Sequence, residues 1–506
     1  MKNSYTALKS GTDIRGVASD VFGSQVTLTD QAVRKITASF VKWLSEKAQK
    51  PTEQLTVAVG HDSRITAQTI KKGVIETLCA LSVKVYDCAL ASTPAMFMTT
   101  IDTDADGAIQ ITASHHPADR NGLKFFVAQG GLNSSDINQI VSDADQLQLP
   151  AAKDGVVERL EFMQTYSKRL RGIICNELGA DEFDMPLKGF HIVVDAGNGV
   201  GGFYATEVLQ RLGARIDGSL FLDPDGMFPN HIPNPEDKAA MKSICDAVKN
   251  SGADLGVIFD TDVDRAGCVD SSGNEINRNR LIALSAAIVI ENNPGATIVT
   301  DSVTSDGLKE FIEQRLLGRH HRFKRGYKNV INEAIRLCDE GINSPLAIET
   351  SGHAALKENY FLDDGAYLIT KIIVKMVKLK QSGSSLEGLT AELKTPVEAE
   401  EIRFGIKAED FKQYGNQVIC ELEKFAAEKE QYKIADDNHE GIRVSTPQGW
   451  FLLRLSVHDP IMPFNVESNI EGGVQIMLQQ LKVFFEDCEL LDITPFSEKI
   501  KKNFGR

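Results

Sequence analysis

The chain has 506 residues, with 55 Lys and Arg against 70 Asp and Glu, for a formal charge of -15. That length gives room for about three or four domains with separate cores. The acidic balance argues against a generic nucleic-acid or anionic-membrane surface, so an anionic small substrate needs a locally basic pocket. None of the eight cysteines forms a Cys-x-x-Cys pair, so neither a zinc nor a disulfide framework is indicated, and free, mostly buried thiols of a reducing cytoplasm are expected. The N-terminal stretch lacks a signal-peptide apolar core, and the longest apolar run, 281–290, is too short to span a bilayer. A cytoplasmic location, without membrane or nucleic-acid partners, is the expectation.

In chain order, 11–16 (Gly-Thr-Asp-Ile-Arg-Gly) is a glycine-bounded loop carrying Arg15. An amphipathic helix is predicted over 31–49 and a strand over 55–59, which runs into Gly60-His61-Asp62-Ser63-Arg64 before helical pattern resumes at Thr66. A second strand, 83–90, closes at Ser92-Thr93-Pro94. Ile109 and Ile111 then alternate around Gln110, and the strand breaks into Thr112-Ala113-Ser114-His115-His116-Pro117. A turn signal at Asn121-Gly122 precedes a further apolar run, 123–126. A serine at a strand mouth, with His115 and His116 beside it and Lys124 ten residues on, suits a covalent phosphate carrier, although this segment by itself reads first as a polar hairpin loop.

The alternation of strand and helix implies mixed sheets covered by helices. Strand ends at 57–64, 191–199 and 297–304 each meet an Asp-bearing polar loop, a weak repeat that favours three similar α/β units in tandem. Linkers are expected at 149–155 and 381–385. After Glu400 the texture changes to charged helix (408–433), strands at 441–444 and 450–456, and a final helix over 473–489, which suggests a smaller α+β domain. The domains are placed at 1–155, 156–270, 271–390 and 391–506.

Asp260, Asp262 and Asp264 follow the apolar strand 254–259 at alternate positions. Three like charges so close are costly unless a cation sits among them, and a hard divalent ion with oxygen ligands is the natural occupant. A solvated acidic turn is the alternative. An EF-hand fails, because its sixth position is Arg265 rather than Gly and its twelfth is Ser271 rather than Glu. Arg265 is better suited to clamping a phosphate. Another strand-end loop, 347–353, offers Glu349, Thr350, Ser351 and His353, groups fit for sugar hydroxyls. Upstream, Arg322, Lys324, Arg325 and Lys328 cluster with His320 and His321, read mostly as a solvated helix end with Lys328 pointing inward. Arg454-Leu455-Ser456-Val457-His458-Asp459-Pro460 offers an arginine, a serine and turn N–H groups for a phosphate dianion.

Together these loops resemble the active-site loops of the α-D-phosphohexomutases, in particular the phosphomannomutase/phosphoglucomutase branch. Residues 112–117 are similar to T-A-S-H-N-P with His116 for Asn, and 260–265 to D-G-D-x-D-R with Thr261 for Gly. Residues 349–353 resemble the sugar loop G-E-x-S-G-H, with Ile348 where Gly is usual. The poorest match is 454–460, where Leu455, Val457, His458 and Asp459 replace four residues of R-P-S-G-T-E-P. The resemblance implies four domains around a central cleft and transfer of a phosphoryl group between the 1- and 6-positions of a hexose. It implies phosphorylated Ser114 as carrier, Mg²⁺ on Ser114, Asp260, Asp262 and Asp264, and a hexose 1,6-bisphosphate as intermediate and activator. Lys124, in cationic surroundings beside Arg15 and His115, would take the hydroxyl's proton. Arg265, Lys328, Glu349, Ser351, His353, Arg454, Ser456 and His458 would hold the substrate. A phosphosugar is the expected partner, and the protein a monomer or weak homodimer. Three alternatives stand beside this reading: an aspartyl-phosphate enzyme using Asp260 and Asp262, a non-catalytic sugar-phosphate sensor, and a phosphoglucosamine mutase.

Overall fold

The computed structural model describes residues 5–456 and 459–502. They form two compact units, one of Met1–Ile288 with Ser351–Leu389 and the other of Val289–Thr350 with Thr390–Arg506.

The first unit begins with a mixed sheet. Thr56–His61 lies parallel to both Lys84–Leu90 and Gly107–Ile111, while Arg120–Val127 runs antiparallel to Gly107–Ile111 and to Asp13–Val17. Helix Asp30–Ala48 starts where the Thr29 side chain accepts the Ala32 N–H, with Asp30 in its first turn, the sign that favours an N-terminus. Its Val33, Ile36, Phe40, Val41 and Leu44 recur at helical spacing and are buried in one core with Val57, Val59, Ile109, Ile111 and Phe125 of the sheet. One expectation fails in this region and another is incomplete, since strand Lys84–Leu90 does end before Ser92. Asn121 and Gly122 make no turn but lie inside strand Arg120–Val127, because a Cβ at Gly122 would fall 2.1 Å from the Ile14 carbonyl oxygen and only glycine permits that approach. Ser92-Thr93-Pro94 does not close a strand so much as open helix Thr93–Asp102, with Ser92 as its cap. That helix is buried from Thr93 to Thr100, so no polar face marks its period.

The same unit continues with a smaller sheet, in which Ile192–Asp195 is parallel to Leu255–Phe259 and Ala266–Val269 pairs antiparallel to the latter. Helix Lys238–Ser251 packs on it through Ala240, Met241, Ile244 and Val248. Hairpin Ala354–Leu356 with Leu362–Asp363 and helix Gly365–Gln381 complete the unit.

In the second unit Thr297–Asp301 lies parallel to Arg319–Phe323 and Leu346–Ile348. The basic run 319–323 is therefore a strand and not a solvated helix end. His320 and Arg322 point inward, and Arg322 donates to Thr304, the Ser305 carbonyl and Asp306. The C-terminal part is an antiparallel sheet of Glu398–Ile406, Ile461–Ser468, Gly449–Leu453 and Ile442–Thr446, with helices Phe411–Ala427 and Gly473–Glu486 sharing its core. The helix at 473 is not the last, since Thr494–Lys502 follows it. The architecture is thus three α/β regions and a β-rich C-terminal region, the fold class expected. Among the described residues, no helix is long and apolar enough to cross a membrane.

Candidate active site

In the first unit the strand end at Ile111 and the strand end at Phe259 deliver two loops to one point. Thr112 Oγ1 accepts the Ser114 N–H at 2.9 Å and donates to Asp62 Oδ2 at 2.6 Å, while Asp62 Oδ1 accepts the Arg64 N–H at 2.9 Å. Burial pushes the Asp62 carboxyl up to about 6, against the pull of Arg64 and the Thr112 hydroxyl. Arg64 is one residue whose role sequence reasoning missed. Its guanidinium donates to the carbonyls of Pro117 at 2.7 Å, Arg120 at 2.8 Å, His116 at 2.5 Å and Ser114. Four carbonyls of one loop are gathered on one cation, and Ser114 is held at a φ of +52°, in the left-handed region.

So held, Ser114 Oγ lies 2.9 Å from Asp260 Oδ2, 3.0 Å from Arg265 Nη2 and 3.3 Å from His115 Nδ1. Arg265 Nη2 also donates to His115 Nδ1, which fixes a neutral imidazole with its proton on Nε2. Burial and the neighbouring Arg265 hold His115 well below the usual histidine range, and burial with Arg15 takes His116 down to about 3. Arg15 itself pairs with Asp13 at 2.8 Å.

The three aspartates do not continue a strand. Val263 sits at a φ of +68°, a conformation a β-branched residue avoids, and the resulting bend turns one oxygen from each carboxylate to within 4.8 Å of the others. All three are buried. Lys124 Nζ reaches Asp262 Oδ2 at 3.0 Å and Asp264 Oδ2 at 2.5 Å, and Thr93 Oγ1 donates to Asp262 Oδ2 at 2.5 Å. The surroundings of Lys124 are thus anionic and not cationic as expected, since strand Arg120–Val127 carries it past Arg15 and into the aspartates. Burial, with Asp264 and Asp262 beside it, raises Asp260 well above the carboxylate range. Asp264, although buried, is held below that range by Lys124, His353 and Arg265. Asp262 Oδ1 and Asp264 Oδ1 have no hydrogen-bond partner. A buried group of three carboxylates with two unmatched oxygens is a fitting cradle for a hard divalent cation.

Arg265 is more internal than a substrate clamp. Nε donates to Asp260 Oδ2 at 3.1 Å and Nη1 to Asn234 Oδ1 at 3.2 Å, in addition to its contacts with Ser114 and His115. The backbone of Arg265 bridges to His353, whose Nδ1 bonds Asp363 Oδ2 and lies 4.0 Å from Asp264 Oδ1. Ser351, buried, and His353 therefore stand with the first unit, whereas Glu349 belongs to the second.

Within the second unit Glu349 Oε1 accepts the Gly326 N–H at 2.6 Å. Lys328 is half-buried where Lys324 is exposed. Arg454 faces Glu440 Oε1 at 3.7 Å, and its Nε is buried without a hydrogen-bond partner. The Ser456 hydroxyl accepts the Asp459 N–H at 3.3 Å. His458 lies outside the described residues. Glu440 and Asp363, like Arg64, escaped the sequence reading. Arg64 had the one usable signal, an arginine in a strand-end loop, fifty residues before Ser114.

The models of phosphoglucomutase/phosphomannomutase α/β/α domains I, II and III match residues 8–149, 177–273 and 277–395. A phosphomannomutase/phosphoglucomutase of Pseudomonas putida is 30% identical over 441 residues, covering 87% of this chain and 88% of that protein. A phosphoglucomutase of Neisseria meningitidis is 28% identical over 478 residues, with 94% and 95% covered. Among solved structures, a phosphoglucomutase/phosphomannomutase family protein of Burkholderia thailandensis superposes with a TM-score of 0.78 at 25% identity, over 96% of this chain and 98% of that one. The three matched domains, and the coverage of these relatives nearly end to end, decide the question: the chain belongs to the phosphoglucomutase/phosphomannomutase family and is a phosphohexomutase.

Proposed function

We propose that this protein interconverts the 1-phosphate and 6-phosphate of a hexose, glucose or mannose, through phosphorylated Ser114 and a hexose 1,6-bisphosphate. The observation that carries the proposal is the setting of the Ser114 hydroxyl, 2.9 Å from Asp260 and 3.0 Å from Arg265, at the head of a buried carboxylate cluster. A phosphoryl group on Oγ would have the Arg265 guanidinium within reach, and charge-assisted bonds of that kind stabilise its equatorial oxygens. In the transfer, the free hydroxyl oxygen of the sugar bonds to phosphorus as the P–Oγ bond breaks. The proton lost by the sugar hydroxyl equals the one gained by Ser114, so the step is neutral overall; we assign Lys124, ion-paired with Asp262 and Asp264, to give its proton to the departing Ser114 Oγ and to be recharged by the sugar hydroxyl. Arg64 and Asp62 hold the loop through Thr112 and the four carbonyls, so that the carrier is oriented before substrate arrives.

Asp260, Asp262 and Asp264, with a phosphoryl oxygen on Ser114, would hold Mg²⁺, which supplies charge neutralisation for the transferring group when bound. We assign Ser351, His353, Glu349 and Lys328 to the sugar hydroxyls, and Arg454 with Ser456 to the phosphate that is not reacting. The buried Nε of Arg454, lacking a partner, supports that last assignment. All eight cysteines are free thiols and six are buried, consistent with a reducing cytoplasm. Purified protein should carry a partial phosphate adduct on Ser114 that resists hydroxylamine, and Ser114→Ala should lack both adduct and turnover. A hydroxylamine-labile adduct on Asp260 would overturn the proposal in favour of aspartyl-phosphate chemistry. Side-by-side assays of glucose, mannose and glucosamine 1-phosphates fix the sugar.

A further inference from the structure

Gly441 has a φ of +61°, and a Cβ there would lie 2.1 Å from the Leu453 carbonyl oxygen and 2.8 Å from the Arg454 Cα. The chain entering strand Ile442–Thr446 thus passes hard against the end of strand Gly449–Leu453, which sets Glu440 beside Arg454. The Glu440 carboxylate gathers three groups from three loops of the second unit. Oε2 accepts from the Ser302 hydroxyl at 2.7 Å and from the Arg325 N–H at 3.1 Å, while Oε1 faces Arg454 Nη1 at 3.7 Å. The two short bonds anchor the carboxylate. The third contact is an ion pair too long to be a hydrogen bond, so Arg454 is partly neutralised, and among the described residues its buried Nε has no partner.

We infer that Glu440 is a positioning residue that sets how tightly Arg454 grips the phosphate of the hexose bisphosphate, keeping that grip weak enough for release. The inference rests on the reading of Arg454 as a phosphate ligand. Its logic comes from the reaction: the bisphosphate must present first one phosphate and then the other to Ser114, so whatever holds the non-reacting phosphate must let go within each turnover. A buried guanidinium without a counter-charge would hold a dianion too well. A carboxylate fixed 3.7 Å away repels the incoming phosphate, and its bonds to Ser302 and Arg325 stop it from closing onto Arg454 and shutting the dianion out.

Calorimetry with hexose 1,6-bisphosphate and the bare hexose, together with steady-state kinetics, tests this on the full chain. Glu440→Gln keeps acceptors for Ser302 and Arg325 but drops the charge. It should bind bisphosphate about two- to fivefold more tightly, the range of one partly screened charge pair, with a lower kcat. Loss of a merely structural residue would not tighten binding. Ser302→Ala removes one anchor, frees the carboxylate to close onto Arg454, and should weaken binding. Glu440→Gln combined with Arg454→Ala should lose the gain. Unchanged or weaker binding in Glu440→Gln, or unchanged or tighter binding in Ser302→Ala, would overturn the inference, and Ser302→Ala decides alone if the glutamine variant does not fold. A wild-type protein that binds bisphosphate no better than bare hexose would instead sink the reading of Arg454 itself.

Discussion

Arg64 gives the sharpest test of how the phosphoserine loop is built. Its guanidinium serves four carbonyl oxygens, those of Ser114, His116, Pro117 and Arg120, and it neutralises buried Asp62 at 3.4 Å. A bond from a charged donor contributes about 1.5–3 kcal/mol net. The four share one cation and are not additive, so Arg64→Ala is expected to cost about 3–5 kcal/mol, the scale of a buried pair broken on one side. Arg64→Lys is more informative. It keeps the charge but replaces a planar fork by a single nitrogen that cannot reach carbonyls on both sides of the fork. Ser114 then has less to hold it at its φ of +52°, a conformation that costs an ordinary residue about 1 kcal/mol. We expect kcat to fall on the order of 10²-fold, the usual consequence of an ångström-scale misplacement, with KM changed by less than about threefold, because Arg64 binds loop and not substrate. Hydrogen exchange at the amides of 112–120 should speed up in parallel. Wild-type kcat together with wild-type exchange in Arg64→Lys would show that the four-carbonyl grip does not position the serine.

Asp262→Asn removes one charge from the cluster with little change of shape, so Mg²⁺ affinity should drop on the order of tenfold while the unfolding midpoint barely moves; activity that survives chelation without added metal would refute the metal role. Arg454→Ala should raise KM by about tenfold to a hundredfold, the worth of a lost charge-assisted contact to a remote phosphate, with a smaller fall in kcat, and initial-rate kinetics would show the split. His231 has both ring nitrogens facing acceptors, Nδ1 the Ile232 carbonyl at 2.9 Å and Nε2 Asp195 at 3.0 and 3.1 Å, so it is bound as imidazolium. Although burial opposes it, Asp195 raises the pKa, so this stabilisation is complete below the unfolded value of about 6.5 and disappears as pH rises through the higher folded value. His231→Gln should therefore lose stability mainly at acid and neutral pH, with the gap to wild type closing under alkaline conditions; a gap independent of pH in urea melts would show His231 to be neutral.

The strands were legible where apolar alternation met a polar loop, and so were the loops that matter, because Ser114, the three aspartates and Arg454 each follow such a strand. What the sequence hid was the side chains that act on backbone. Arg64 bonds carbonyl oxygens, which every residue has, so nothing in 114–120 announces a partner for it. Asn121-Gly122 read as a turn because glycine in a strand is rare, and only the pairing with Asp13–Val17 shows the approach that demands it. Helix Thr93–Asp102 was hidden by its own burial, since a helix covered on all sides has no polar stripe. Lys124 was read in the right strand and the wrong field, because its charged partners come from 138 and 140 residues away.

The disposition of cationic side chains then separates two kinds of phosphate contact. Around Ser114 the arginines are committed inside the protein: Arg64 is consumed by carbonyls, and Arg265 by Asp260, Asn234 and His115 with one nitrogen on the serine hydroxyl. Residues bonded to the protein in this way would suit a phosphoryl group carried covalently on Ser114, as proposed above. Arg454 differs in degree: its Nε, like that of Arg64, is buried and unmatched among the described residues, but no carbonyls gather on its guanidinium and its ion pair with Glu440 stands at 3.7 Å. A cation left in that condition gains from a ligand that comes and goes. In a chain carrying a net charge of -15, we propose that this local difference in pairing, and not the overall balance, distinguishes a phosphoryl group on Ser114 from a phosphate held by Arg454.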